Sequence, residues 1–531
     1  MSQYIPSESE SQKAAEQNYF PSSQDVGGEL YDTDNITKKF SRKSTNNITS
    51  VDDPNSKDHN VRQIKHSATE TLAPHKSNEP TEKVGITHPF IRSFIPLLAY
   101  KFIKIQVLLA CLIIGAFSLY WGALYDRPAH LVGLKMLVVN QDYYPDGIGS
   151  TVLDIIEQDY QKKGTWTVLN SAEEIQDFFK IDDVNNHNIS ELVLTEVHHR
   201  HYWSGTYIFP NATENQIQYY QNNQVNDTTP SVKFMYETGR DITSVTPYVV
   251  DTLQDIEGDF IQRFYQGMAA NLTQSLTIQQ KAEMVQSGTA FNLPYFFYLD
   301  YRPYDNNVLL APLQVGLIYL IISSFFLVNF FNDVHGILIP YLRPGWYLLY
   351  RIAFNHINFL FVSIFICSVS AIYQVDFTRA FGKGGFCVYW MTTYLTLAAV
   401  GGANENMALL IFAFDPKLLS FWLISFVILN VSPSFSPMAL TNVFYRYGYS
   451  MPIHHSNEIY KVIFMNLWKG QLGLNFGVLC AWIVLNTLLL PFILVIVARQ
   501  MAKKQRISHE KNMDECRKKI EEEQKLQTTD V

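Results

Sequence analysis

The apolar residues of this chain are distributed very unevenly along its length. One run of about twenty residues occupies 105–124, and a dense block of further runs lies between 308 and 498. A polar stretch of nearly 180 residues separates the first run from the block. Because a helix needs ~20 apolar residues to cross the hydrocarbon core of a bilayer, this pattern predicts a multi-pass membrane protein with one large water-facing domain after its first span.

The number of spans follows from counting these runs. We expect an α-helical polytopic membrane protein of about six transmembrane helices, with a large α+β extracytoplasmic domain between the first and second helices. The fifth run is short and is interrupted by Ser432-Pro433-Ser434, so a half-helix or re-entrant segment continuing through Met438–Tyr447 is an open alternative. The expected spans are 105–124, 308–331, 346–373, 385–412, 418–436 and 473–498.

The basic residues next to the spans predict the orientation. Lys101 and Lys104 precede the first span, and a basic cluster that begins at Arg499 follows the last one. An excess of Lys and Arg marks the cytoplasmic side, so both termini are expected in the cytoplasm. Residues 1–98 are polar and are expected to form a disordered cytoplasmic tail, with a second cytoplasmic tail at 499–531. The start of the chain lacks a signal-peptide core, so we expect the first span to act as an internal signal-anchor.

This orientation places residues 128–306 outside the cytoplasm. The segment contains 23 acidic and 10 basic residues, a net charge of −13, and none of the five cysteines. An ordinary apolar core must therefore hold it together, which ~180 residues can supply. Four sequons for N-glycosylation lie in this segment and agree with its placement. Their asparagines are Asn188, Asn211, Asn226 and Asn271.

Short apolar and alternating segments predict the secondary structure of this domain. Expected strands are Leu134–Val139, Thr165–Leu169, Leu192–Val197, Tyr202–Phe209 and Val232–Tyr236, and expected helices are Val152–Gln161, Ala172–Phe179 and Val245–Leu276. Ser150 is expected to cap the first of these helices.

Ionisable and amide side chains inside the spans are the candidate functional residues, because such groups are costly at membrane depth. Arg351, Asn355 and His356 lie near the start of the third span. Asn404 and Glu405 interrupt the apolar run of the fourth span toward the same side of the membrane. Glu405 is expected to pair with Arg351 or His356. A purely structural ion pair and a role in transport or gating are both open interpretations.

Other chemical motifs are weak or missing. His199 and His201 would share one face of a strand and could begin a metal site, but no third ligand is evident and a solvated strand end is favoured. The sequence contains no G-x-x-x-x-G-K-[ST], no G-x-S-x-G and no H-E-x-x-H. We therefore expect neither an enzyme nor a cofactor, and the absence of a basic patch predicts no nucleic-acid partner.

Four segments together resemble the fungal nitrosoguanidine-resistance membrane proteins. They read SLYWGALYDR at Ser118–Arg127, GFCVYWM at Gly385–Met391, GGANENM at Gly401–Met407 and RYGYSMPIHH at Arg446–His455, where Pro452 is expected to break any helix. The resemblance covers roughly residues 90–500 and implies a multi-pass protein of the fungal plasma membrane that is linked to resistance to toxic chemicals. The layout is also similar to the permease halves of ABC-2-type exporters and to bacterial phage-infection proteins, but this chain has no nucleotide-binding domain.

Two functions remain open at this stage. The first is transport or export of a small or lipid-like molecule, coupled to protons through Glu405 or driven by an ATPase subunit in trans. The second is a non-transporting regulator or scaffold that acts on other membrane proteins or on lipid distribution. The expected partners are the lipid bilayer, a small-molecule substrate and another membrane protein.

Overall fold

The structure is a computed structural model that describes residues 89–222, 229–289 and 292–529. Most of the expected N-terminal tail, and the sequon at Asn226, lie outside the described residues. Residues 89–98, which the polar composition assigns to that tail, instead begin helix α1 (Pro89–Leu124). Apolar side chains such as Ile95 and Leu98 extend the hydrophobic surface of the first span toward the N-terminus, so the helix starts earlier than the apolar run alone predicts.

The segment between the first and second long helices is a mixed α/β domain. Its five strands are β1 (Lys135–Asn140), β2 (Thr165–Leu169), β3 (Ser204–Ile208), β4 (Val232–Tyr236) and β5 (Phe296–Asp300). They form one sheet in the order β2-β1-β3-β4-β5, in which only the β3–β4 pair is antiparallel. The parallel pairs require crossover connections, and helices supply them.

Helices cover both faces of this sheet. They are α2 (Ile148–Asp159), α3 (Ala172–Phe179), α4 (Ile189–His198), α5 (Ala212–Asn222), α6 (Asp251–Arg263), α7 (Ala269–Leu272) and α8 (Ile278–Ser287). Alternate residues of β1 point into two separate cores. Met136 and Val138 pack with α2, α5 and α6, whereas Leu137 and Val139 pack with α3 and α4. The π-helical turns Thr246–Val250 and Phe264–Met268 extend α6 on both sides, so the long helix expected at Val245–Leu276 is present in four joined pieces.

Two expectations for this domain are wrong. Leu192–Val197 is part of helix α4 and not a strand. Ile189, Val193 and Val197 are buried at intervals of four residues, a helical period, and the Asn188 side chain accepts a hydrogen bond from the Glu191 amide to cap the helix. Ser150 is not the N-cap of α2. The helix begins at Ile148 after Gly147, and the Ser150 hydroxyl donates to the Gly147 carbonyl.

The remaining helices form a bundle. Five helical stretches in the described chain are long and apolar enough to cross a membrane, namely Ile95–Leu124, Asn307–Leu338, Pro344–Ile372, Thr378–Phe414 and Lys469–Lys518. These stretches belong to α1, α9 (Gly316–Leu338), α10 (Pro344–Ile372), α11 (Thr378–Phe381), α12 (Gly385–Phe414) and α15 (Leu472–Thr529), of which α1 and α15 extend beyond them. Helix α12 occupies the centre, because it packs against α9, α10, α15 and two shorter helices, α13 (Leu419–Val431) and α14 (Pro452–Met465).

The fifth expected span is shorter than predicted. Helix α13 has 13 residues, about 20 Å at 1.5 Å per residue, against a hydrocarbon core of ~30 Å. The helix stops before Ser432-Pro433-Ser434, and the hydroxyl of Ser432 turns back to the Ile428 carbonyl. The chain then continues through turns to Pro452, which is the first residue of α14 and not a helix breaker, in keeping with the preference of proline for that position.

The close packing of α12 against α15 depends on Gly402, because any side chain at this position would contact α15. A Cβ at Gly402 would lie 2.8 Å from the Cβ of Asn486 on α15. That atom is fixed by its own backbone, so the two helices would have to separate. Small residues at such positions allow close helix packing in membranes.

We predict that Gly402→Ala destabilises the protein by about 1–3 kcal/mol through overpacking. The measurement is thermal unfolding of the purified protein in detergent. Gly115→Ala is the matched control, because a Cβ at Gly115 in α1 meets no atom within 4 Å. Equal unfolding temperatures for the two variants would contradict this account of the α12–α15 contact.

Candidate functional site

Three of the five candidate residues form one buried cluster between α10 and α12. Arg351 and Glu405 are 4% and 5% exposed, and the Arg351 Nε donates to Glu405 Oε1 at 2.5 Å. Asn355 lies one turn further along α10 and donates its amide to the second carboxylate oxygen, Oε2. The Arg351 Nη1 also donates to the Tyr347 hydroxyl at 3.1 Å. Both oxygens of Glu405 are therefore partnered.

The other two candidates have different partners. His356 Nδ1 lies 2.9 Å from the hydroxyl of Tyr394 on α12. Asn404 faces away from Glu405. It donates to the Ile321 carbonyl and the Ser324 hydroxyl of α9, at 3.1 and 2.9 Å, and accepts from the Trp422 indole of α13 at 3.0 Å. Asn404 therefore fixes α12 to two neighbouring helices.

A small cavity lies beside the Arg351–Glu405 cluster. Its volume is about 30 Å³, and Asn355, His356, Glu405 and Asn406 contribute to its lining. A site needs ~10–15 Å³ to hold one water molecule, so this cavity has room for one or two. Asn406 donates to the Asn486 carbonyl at 3.0 Å, but its own Oδ1 is buried without a hydrogen-bond partner among the described residues.

A second group of buried polar side chains lies nearer the N-terminal end of α12, separated from this cluster by the apolar residues 397–403. The buried polar residues of the helix are Thr392, Thr393, Thr396, Asn404, Glu405 and Asn406. Thr393 and Thr396 contact α14 through the hydroxyls of Tyr460 and Ser456, both at 2.7 Å. The central helix of the bundle therefore carries buried polar groups over much of its length, although apolar residues surround them.

A second and larger cavity lies where the α/β domain meets the bundle. We call it the junction cavity. Its volume is about 440 Å³, and its lining includes Arg200, Arg240, Tyr449, His454, Glu458 and Lys461. This volume is within the ~300–1,000 Å³ that is typical of small-molecule sites.

Glu458 of α14 is the central carboxylate of the junction cavity. It accepts hydrogen bonds from the guanidinium of Arg200 and from the Lys461 ammonium, the latter at 2.8 Å. Burial alone would raise the pKa of Glu458, but the charges of Lys461 and Arg200 outweigh it and hold that pKa well below its ordinary range. The carboxylate therefore stays charged and ties the α/β domain to α14.

Arg240 of the α/β domain also lines the junction cavity. Its guanidinium stacks on the Trp203 ring at 3.8 Å and donates to the carbonyls of Tyr202 and Arg200, at 2.5 and 3.1 Å. Burial, and then the charge of Arg200, lower the pKa of Arg240 to about 9. Arg240 is therefore still charged at neutral pH.

The histidines near residue 200 have separate partners. His198 Nδ1 contacts Glu237 at 2.7 Å, His201 Nδ1 contacts Glu196 at 2.7 Å, and the His199 ring packs on Trp468 at a centroid distance of 5.3 Å. Among the described residues there is no group of three or more His, Cys, Asp or Glu side chains placed to hold a metal ion. His198 is the last residue of α4, and His199 and His201 follow the helix, so these residues do not share one face of a strand.

Sequence reasoning missed the junction cavity. Arg200 and Glu458 are 258 positions apart, and no local pattern links them. The available signals were Pro452, which can start a helix, and the i,i+3 spacing of Glu458 and Lys461, which suits an ion pair on one helical face.

Comparison with known proteins places the chain in a family. Residues 105–488 match the family model described as a protein of unknown function, DUF3533. An uncharacterized endoplasmic reticulum membrane protein of Saccharomyces cerevisiae is 38% identical over 426 residues, which cover 76% of this chain and 81% of that protein. No solved structure matches. The chain is therefore a fungal-type membrane protein and belongs to the DUF3533 family.

Proposed function

We propose that this multi-pass membrane protein moves a small or lipid-like molecule through its helix bundle and thereby confers resistance to toxic chemicals. The observation that carries the proposal is the buried Arg351–Glu405 pair inside the bundle, together with the other buried polar side chains of α12 on either side of the apolar residues 397–403. Polar and ionisable groups at membrane depth are costly and commonly line substrate or ion pathways. The family comparison supports a membrane protein and leaves its activity open.

Two cavities at the domain end of the bundle agree with an amphiphilic molecule. The junction cavity is lined by charged groups. A cavity of about 230 Å³ between α9 and α10 is mostly apolar, with Val315, Tyr319 and Ile366 in its lining. Helix α14 separates the two, with Lys461 facing the first and Tyr460 the second. The polar head of an amphiphilic molecule could bind in the junction cavity while its apolar part binds in the neighbouring apolar cavity.

In this proposal Arg351 and Glu405 hold the opposite end of the pathway closed. Glu405 lies about 13 Å along α12 from Phe414, at 1.5 Å per residue. Lys504 of the basic region after the last span reaches the Phe414 carbonyl at 3.2 Å. Separating α10 from α12 at this end requires breaking the ion pair and the hydrogen bond from Asn355. The pair therefore acts as a gate whose opening connects the small cavity with the cytoplasm.

A regulator or scaffold is the second candidate, and one observation favours it. Both oxygens of Glu405 already have partners, as expected for a structural ion pair that fixes the positions of two helices. In that case the bundle would be a rigid support for the α/β domain.

The change Glu405→Gln separates these two functions. A panel of toxic compounds is applied to cells that express the variant in place of the native protein, and the amount of protein in the membrane is measured alongside. We predict loss of resistance at a normal protein level, since the neutral amide no longer closes the gate. Asn358→Ala is the control on α10, because Asn358 donates only within its own helix, to the Phe354 carbonyl. Unchanged resistance at a normal level would favour the regulator.

For the topology we propose six crossings, with both termini in the cytoplasm and the α/β domain on the opposite side. Helix α13 supports the even number. The helix starts after Phe414, whose carbonyl accepts a hydrogen bond from Lys504. The segment after the helix contacts Arg127, which lies just beyond α1: the Arg127 guanidinium donates to the Ser436 hydroxyl at 2.7 Å. The short helix and the segment after it therefore connect the two ends of the bundle, and basic residues favour the cytoplasm at the α15 end.

Glycosylation tests this topology. Asn188, Asn211 and Asn271 are accessible on the α/β domain, so we predict that deglycosylation shifts the mobility of the native protein on gels. Changing these three residues and Asn226 to Gln should abolish the shift. A shift that persists in the fourfold variant, or none in the native protein, would contradict an extracytoplasmic domain.

The compartment is part of the same proposal. The resemblance to resistance proteins favours the plasma membrane, whereas the name of the yeast relative favours the endoplasmic reticulum. Fluorescence microscopy of the tagged chain against markers of both membranes decides between them.

A further inference from the structure

We propose that the junction cavity binds the phosphate group of an organic molecule and that Arg200 is the residue that holds it. The observation behind this proposal is an unused edge of the Arg200 guanidinium. Nη1 donates to Glu458, whereas Nε and Nη2 are buried and have no hydrogen-bond partner among the described residues. Arg200 itself lines the cavity.

The two unused donors belong to one edge of the guanidinium. Nε–H and Nη2–H point in the same direction, and a pair of parallel donors fits two oxygens of one phosphate or carboxylate. A buried donor without a partner is energetically costly. The ion pair with Glu458 uses the other side of the group, so it holds the side chain in place without occupying this edge.

The charge of the cavity also favours an anion. Arg200, Arg240 and Lys461 supply three positive charges, and Asp241 and Glu458 supply two negative ones. Both Glu458 oxygens face cations, and Asp241 Oδ1 is bonded to the Thr243 amide and hydroxyl of its own turn. This net positive site lies at the edge of a domain, residues 128–306, whose net charge is −13. The net positive charge and the two unused donors of Arg200 suit an anion with several oxygens, such as a phosphate.

The backbone at Arg200 has a conformation that determines which variant tests the proposal. Arg200 has a φ of 66° and follows the C-cap residue His199 of α4. The amides of Arg200 and His201 donate to the Val197 and Glu196 carbonyls, which is the Schellman pattern that ends many helices. Glycine is the usual residue at this position because it adopts a positive φ without strain. Glycine could therefore replace Arg200 without backbone strain, and Lys180 at the end of α3 has the same conformation.

The size of the cavity identifies the rest of the ligand as organic. A volume of about 440 Å³ exceeds what a phosphate group fills, and Trp203, Met438 and Leu474 supply apolar lining. Either a lipid headgroup or a water-soluble phosphate ester could provide this chemistry. A transporter and a ligand-controlled regulator would both use such a site, so the inference holds whichever of the two the protein is.

The test measures ligand binding to the purified full-length protein in detergent by the rise of its unfolding temperature. The probes are dihexanoyl phosphatidic acid, glycerol 3-phosphate and, as a phosphate-free control, dihexanoyl glycerol. We expect saturable binding of at least one phosphate probe and none of the control. Binding of glycerol 3-phosphate as tightly as the lipid indicates a soluble ligand, and binding of the lipid alone indicates a headgroup.

Arg200→Gly should weaken binding of the phosphate probe at least tenfold. The variant should still fold, because glycine adopts the positive φ of this position without strain and Glu458 retains Lys461 as its ion-pair partner. Lys180→Gly is the matched control. Lys180 is an exposed cation with a φ of 54° at the end of α3, outside the cavity, and its variant should bind like the native protein. Equal binding by the Arg200 and Lys180 variants, or no saturable binding of either phosphate probe, would overturn the proposal.

Discussion

Polar side chains buried inside a membrane bundle must find partners within the protein, because hydrocarbon supplies none. This constraint determines how the helices around α12 are arranged. Asn404 joins α12 to α9 and α13, Asn406 joins it to α15, and Glu405 joins it to α10 through Arg351 and Asn355. Three consecutive residues thus point to four neighbouring helices, so the register of the bundle follows from one short segment.

The Arg351–Glu405 pair is a weak source of stability by itself. Removing two charges from water costs several kcal/mol per ion, and their attraction repays this only with good geometry and further hydrogen bonds. An apolar pair of similar volume would be comparable in stability and often better. The pair therefore matters less for stability than for what it specifies, which is the register of α10 against α12 and, in the proposed function, the closed state of the gate.

The contact between the α/β domain and the bundle follows a different principle. Beside apolar contacts such as that of Leu440 with the core of the domain, it includes the charged residues at the junction cavity and Arg127, which reaches Ser436 beyond the end of α1. Such charged contacts respond to a change in local charge more readily than an apolar interface does. A ligand that binds in the junction cavity would therefore alter the forces that position the domain on α14.

Local patterns in the sequence predict part of this structure. Thr165–Leu169, Val232–Tyr236 and Ala172–Phe179 have the bounds that alternation and helical period indicate. The pairing of Glu405 with Arg351 is predictable because both lie toward one end of adjacent spans. Helix α4 resembles a strand in the sequence because its central apolar run, Leu192–Leu194, is short and β-branched residues are frequent in it. The junction cavity is not predictable, because Arg200 and Glu458 meet only through the tertiary fold and α14 begins at a proline, a residue that more often indicates a break.

The most direct test of the central claim is the double variant Arg351→Met, Glu405→Leu, assayed for thermal stability in detergent and for resistance in cells at a matched protein level. If the charges serve movement of a substrate, the variant unfolds at the native temperature or above, since it buries no unpaired charge, and resistance is lost. If the double variant is stable and resistance is retained, the ion pair has no role in transport, and α12 does not carry the gate that we propose.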